Sequence, residues 1–156
     1  MRFVRALVAF LVLPGVVGGL LPWWIVTSDT QRGGGSLLLG VPIALLGLAV
    51  LLWCVRDFYV VGKGTLAPWD PPARLVVVGL YRYARNPMYV GVLTLVLGWS
   101  IAAGSRNLAL YCAVLAVGFH LRTILYEEPR LRELFGPDYE RYCAIVPRWI
   151  PGVRWL

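Results

Sequence analysis

The stretch Pro87–Tyr126, PMYVGVLTLVLGWSIAAGSRNLALYCAVLAVGFHLRTILY, decides the fold. It holds two apolar runs, 87–105 and 107–126, separated by the short link GSRN. Each run approaches the roughly 20 helical residues that cross a hydrocarbon core. Four linking residues cannot re-cross a bilayer, so the runs form an antiparallel helical hairpin. Upstream, the chain is uncharged from Ala6 to Ser28 and again from Gly33 to Val55. The reading is therefore an all-α polytopic membrane protein with four transmembrane helices, at about 4–26, 36–56, 87–105 and 107–126, in one membrane domain over 1–156. Pro14 and Gly15 are expected to bend the first span, which membrane helices tolerate.

Composition supports this class. Of 156 residues, 59% are hydrophobic and 15% charged, and the mean hydropathy is +0.71, which is too apolar for a water-soluble domain of this size. The net charge of +7 is dispersed beside the apolar runs without a basic block, which argues against nucleic acid as a partner. Cys54, Cys112 and Cys143 lie far apart, in no metal-ligand or pairing pattern, and read as packing residues. The first apolar run is long and lacks a small-residue cleavage pattern, so it reads as a retained span.

Arg2, Arg5, Arg56, Lys63, Arg74, Arg82, Arg85 and the C-terminal arginines fall on one side of the spans, and only Arg32 and Arg106 on the other. The positive-inside rule then predicts a multi-pass protein with both termini and the long middle loop cytoplasmic. The tryptophan-bearing edges PWW (Pro22–Trp24) and PRWIPGVRW (Pro147–Trp155) read as interfacial anchors.

The middle loop, Arg56–Asn86, is longer than the usual limit of about 12–15 residues for an unstructured link, which favours a functional segment on or in the interface. Beyond the fourth span, short amphipathic helices are expected over 129–147. Leu131, Leu134 and Phe135 share one face and Tyr139 and Tyr142 another, with a break at FGP and Pro137 opening the second helix.

Polar residues gather at the cytoplasmic mouth. Asn86 before Pro87 is a helix-start signal, with the asparagine side chain expected to cap the first free N–H groups. That helix end, beside Arg85, favours an anion such as a carboxylate or phosphate. Tyr89 lies in the first turn, and Gly91 lets a helix or ligand approach closely. At the far end of the fourth span stand His120, Arg122, Glu127 and Glu128, costly in an apolar helix unless they face partners or water. His120 and Glu127 are seven apart and so share a helical face, and Pro129 disfavours continued helix at Glu128. The hairpin returns Glu127 to the same membrane side as Arg85, where the two can share a pocket.

These elements, GLYRYARNPMYVG followed by YEEPRLRELFGPDYERYCAIVPRWIP, resemble the integral membrane methyltransferases that include isoprenylcysteine carboxyl methyltransferases and phospholipid N-methyltransferases. The matching positions are Gly79, Tyr81, Arg85, Asn86, Pro87, Tyr89, Gly91, Glu127, Glu128, Phe135, Gly136, Tyr139, Tyr142, Val146 and Pro147. The resemblance implies S-adenosylmethionine binding at the cytoplasmic side by Tyr81, Asn86, Pro87, Met88, Tyr89 and Glu127, with Arg74, Leu75 and Val76 as a looser carry-over. Arg85 and Gly91 complete the expected cofactor wall. Asn86 stands where the prenylcysteine enzymes have histidine, so the resemblance gives this position no proton chemistry.

Such a cofactor carries a carboxylate, an ammonium and a sulfonium. The expected match is the helix start for the first, Glu127 for the second, and the faces of Tyr81 and Tyr89 for the third. Glu128 and His120 are the candidate bases for an amine acceptor, whereas a carboxylate acceptor needs none. Arg122 is the candidate partner of an acidic headgroup or substrate carboxylate. The implied partners are membrane lipids and a lipophilic small-molecule or lipid substrate, with no metal and no nucleic acid. Two other readings remain open: a nicotinamide-dependent membrane reductase of related architecture, and a non-catalytic protein that binds lipid or a partner.

Overall fold

A computed structural model describes residues 11–30, 32–61 and 74–150. A π-helical stretch, Leu11–Leu20, contains Pro14 and runs into α1 (Leu21–Ser28). It is followed by α2 (Leu37–Val60), a 3-10 turn (Gly79–Arg82), α3 (Pro87–Ala103) and α4 (Arg106–Arg122). A π turn over Thr123–Glu127 leads from α4 into α5 (Glu128–Phe135), and α6 (Pro137–Ile145) closes the order. The described residues are all-α. Leu37–Val60 and the continuous helical run Arg106–Phe135 are long and apolar enough to cross a membrane, and Pro87–Ala103 is a shorter apolar helix. The start of the first expected span and the centre of the middle loop, 62–73, lie outside the described residues.

Local signals explain the boundaries. Ser36 caps α2 by accepting from the Leu39 N–H at 3.4 Å, and Ser105 caps α4 by accepting from Leu108 at 3.2 Å. Between α3 and α4, Gly104 takes φ 62°, a left-handed value that lets the chain reverse within the expected GSRN link. Gly136 takes φ 49° at the expected FGP break, and Pro137 opens α6. Pro129 does not interrupt the helix, because it occupies the first turn of α5, where its missing N–H has no intrahelical role.

Packing is tightest between α2 and α3. A Cβ at Gly40, Gly47 or Gly98 would run into the backbone of the facing helix at Ala102, Leu95 or Ala44. Gly91 likewise abuts the Leu51 N–H and the Gly47 carbonyl, so the close approach it permits is that of a helix. Leu51, Val92, Val96 and Leu108 form the central core. The first helical stretch is tied on by the Tyr111 hydroxyl, which donates to the Val17 carbonyl at 3.0 Å, and by Ser105, which donates to Asp29. Outward, α2 and α4 present large bare apolar side chains, among them Leu38 at 85% exposure and Leu110, Val114 and Val117. In water that arrangement would be costly; in hydrocarbon it is the low-energy one.

Candidate active site at the mouth of the α3–α4 hairpin

Because α3 runs away from the mouth and α4 returns to it, the first turn of α3 meets the π turn after α4. The π turn matters chemically. It widens the helix at Thr123–Glu127 and changes the side-chain register. Glu127 and Glu128, adjacent in sequence and so directed to different sides of the helix, enter different environments.

Glu127 faces α3. The Tyr89 hydroxyl donates to its carboxylate, and Arg122 Nε lies 2.8 Å from Glu127 Oε1 and 3.1 Å from the Tyr89 hydroxyl. The Arg122 guanidinium also lies over the Tyr126 ring, 5.8 Å from its centre. This triad is partly open, with side-chain exposures of 39% for Arg122 and 26% for Glu127. Tyr89 stacks on Phe119 with ring centres 4.3 Å apart, and Trp149 stands tilted to it at 6.4 Å. Among the described residues no hydrogen bond or ion pair joins His120 to Glu127; the exposed His120 ring lies 6.1 Å from Trp149.

Glu128 is buried, with its side chain 5% exposed. Arg148 grips it with Nε at 2.7 Å and Nη2 at 3.0 Å, Arg85 reaches it at 3.1 Å, and Arg132 approaches at 3.8 Å. Arg85 therefore pairs with Glu128, and its Nη1 also donates to the Cys143 sulfur at 2.8 Å. The hydrogen bond to Glu128 pushes the Arg148 guanidinium above its ordinary range, against the effect of its own burial.

Asn86 departs from expectation at its side chain. It does occupy the residue before α3, yet it makes no side-chain cap. Its amide nitrogen donates instead to the Arg148 carbonyl at 3.2 Å. The Arg85 and Asn86 backbone N–H groups donate to the Pro147 and Arg148 carbonyls at 2.9 and 3.2 Å. A strap of residues 146–149 is thus pinned across the start of α3. The backbone N–H groups of Arg85 and Asn86, the Asn86 amide and Arg85 Nη1, which the sequence offered to an anion, are engaged within the protein, while the buried Arg85 Nε has no hydrogen-bond partner among the described residues.

The remaining expected residues divide by depth. Tyr81 and Val76 are buried with Cys54, Leu75 packs against Tyr139 and Tyr142, and Met88 packs against both the central core and the cluster of Cys54, Val76 and Tyr81. The Tyr142 hydroxyl donates to the Tyr81 carbonyl at 2.6 Å, and burial pushes the Tyr81 phenol well above its ordinary range. Pro87 is buried and Arg74 exposed. The structure brings together Tyr89, Arg122 and Glu127 in one group and Arg85 and Glu128 in another. Arg148 and Trp149 join these groups from a segment whose sequence reads only as an interfacial anchor. Their sole local signal is an arginine beside a tryptophan within PRWIP.

The sequence model of the family described as phospholipid methyltransferase matches residues 36–138. Protein-S-isoprenylcysteine O-methyltransferase of Schizosaccharomyces pombe is 36% identical over 77 residues, 49% of this chain and 33% of that protein. Protein-S-isoprenylcysteine O-methyltransferase B of Arabidopsis thaliana is 34% identical over 81 residues, 52% of this chain and 41% of that protein. Delta(14)-sterol reductase LBR of Gallus gallus is 29% identical over 77 residues, 47% of this chain but 12% of that protein. The matched region thus spans well under half the length of each of these relatives. No solved structure matches the chain.

Proposed function

Since the chain belongs to the phospholipid methyltransferase family, we propose that it transfers a methyl group from S-adenosylmethionine to a lipophilic acceptor, such as a prenylated molecule, at the mouth of the α3–α4 hairpin. The observation that carries this reading is the partly open Tyr89–Glu127–Arg122 triad beside aromatic rings, between apolar helices. In this reading the chain crosses the membrane four times, with both termini and the site cytoplasmic.

The residues present fit such a cofactor. Glu127 is open enough to accept an ammonium or a hydroxyl. The first turn of α3 carries N–H groups that no helix can satisfy internally, suited to a carboxylate. Tyr89 and Trp149 offer aromatic faces to a sulfonium. Bound there, the cofactor supplies an electrophilic methyl group. The chain then has to align the acceptor, exclude water and manage any proton. Glu128 is held ionised by three guanidinium groups and acts as a positioning residue, which leaves exposed His120 as the proton acceptor for an amine substrate. A carboxylate substrate would need no base and could be met by the outer nitrogens of Arg122.

Calorimetry of the purified protein in detergent tests the reading. S-adenosylmethionine and S-adenosylhomocysteine are both expected to bind, and Glu127→Gln to weaken both. Absence of binding by either would overturn it, and nicotinamide-dinucleotide binding in their place would favour the reductase that the sterol reductase match keeps open. Incubation with labelled cofactor and a total lipid extract then identifies the class of acceptor.

A further inference from the structure

The strap at the C-terminal end carries an aromatic residue outside the motif positions. Trp149 follows two residues that fix it in place: the Pro147 and Arg148 carbonyls accept from Arg85 and Asn86, and the Arg148 fork holds Glu128. Its half-buried indole consequently stands between α3 and α4, 6.4 Å from the Tyr89 ring and 6.1 Å from His120. A tryptophan serving only as a lipid anchor has no need of such fixing. The Tyr89 and Trp149 rings are tilted by 42°, forming a corner rather than a stack. Among the described residues beside this corner, Arg122 is paired with Glu127, Arg148 is paired with Glu128, and His120 is exposed.

Resting on the methyltransferase reading, we propose that Trp149, together with Tyr89, recognises the positive sulfonium and thereby distinguishes the charged cofactor from its neutral product. Attraction between an aromatic face and a cation depends on that charge. On transfer the acceptor's lone pair would form the new bond to the methyl carbon and the S–C bonding pair would stay on sulfur, which becomes an uncharged thioether. The aromatic corner then loses its hold, and product departs more readily.

The test compares affinities for S-adenosylmethionine and S-adenosylhomocysteine, by calorimetry, in the full-length wild type, Trp149→Leu and Trp149→Phe. Leucine keeps an apolar side chain but removes the π face. Trp149→Leu is expected to weaken binding of the charged cofactor about 2- to 30-fold while changing binding of the product by less than about twofold. Trp149→Phe should show a smaller loss in the same direction, because phenyl is the weaker cation partner. Equal losses for both ligands, or no loss for either, would overturn the proposal, since a merely structural role moves both together. Should the leucine variant fail to fold, an unchanged affinity ratio in Trp149→Phe is sufficient to overturn it. A wild type that binds neither ligand refutes the methyltransferase reading itself, and this inference with it.

Discussion

Glu128→Gln removes one charge from a cluster in which a single carboxylate serves three guanidinium groups. Arg132 is 51% exposed and 3.8 Å away, so its share is small. Arg85 is the costly partner: its side chain is 13% exposed, and its buried Nε already lacks a hydrogen bond. Leaving one member of a buried pair uncompensated costs about 3–5 kcal/mol. Arg148, 24% exposed, can turn partly to solvent, which places the expected loss near the lower end, at about 3 kcal/mol. For a chain of this size that corresponds to a fall of about 6–12 °C in Tm, read by tryptophan fluorescence in detergent. Arg132→Ala is the exposed control, with an expected change below about 1 kcal/mol. The double variant Glu128→Gln, Arg85→Met should recover part of the loss, because it removes the stranded charge as well. A Glu128→Gln protein that melts no lower than the Arg132→Ala protein would refute the reasoning.

Tyr89→Phe keeps the ring on Phe119 but removes the hydroxyl between Arg122 and Glu127, and should lower kcat/KM for methyl transfer about tenfold, measured with labelled cofactor. Gly47→Val drives a side chain into the backbone of α3 at Leu95 and should destabilise by more than the roughly 1–3 kcal/mol of ordinary overpacking, whereas Gly118→Ala, with nothing within 4 Å, should melt like wild type. Gly136→Ala forces φ 49°, ψ −126° on a residue with a Cβ and should cost about 1–3 kcal/mol, seen as a lower Tm. Burial holds the Tyr81, Tyr139 and Tyr142 phenols neutral above their ordinary range, so the folded state keeps protons that the unfolded state releases. Stability should therefore fall as pH rises past about 10, and absorbance should show these phenols ionising only together with unfolding.

The hairpin was legible because its signals are local. Asn86 followed by Pro87 marks the start of α3, Gly104 reverses the chain, and Ser105 caps the next helix within three residues. The FGP break was legible for the same reason. Side-chain placement past Arg122 was not, because heptad spacing assumes an unbroken α-helix. The π turn invalidates that assumption, sending Glu127 to Tyr89 and leaving His120 near Trp149. Leu134 shows a different limit: within the unbroken helix Glu128–Phe135 spacing groups it with Leu131 and Phe135, yet it is 43% exposed while those two pack under Tyr139 and Tyr142. The strap was hidden altogether. Its bonds join Arg85 and Asn86 to Pro147 and Arg148 through backbone carbonyls, which every residue possesses and no composition marks.

The two neighbouring glutamates show how a small membrane protein can place a buried, fixed carboxylate beside an accessible one. Glu128 draws together the start of α3 through Arg85, the strap through Arg148 and its own helix through Arg132. In a region of low dielectric such a cluster resists local opening, because each charge would be exposed without its partner. Glu127, one residue earlier, is joined among the described residues by Tyr89 and Arg122 and stays partly open. The rigid carboxylate thus sets the position of the accessible one. Part of the chain's positive charge is accordingly internal structure: Arg85 and Arg148 follow the inside rule in sequence, but in space they join Glu128, the strap and the start of α3.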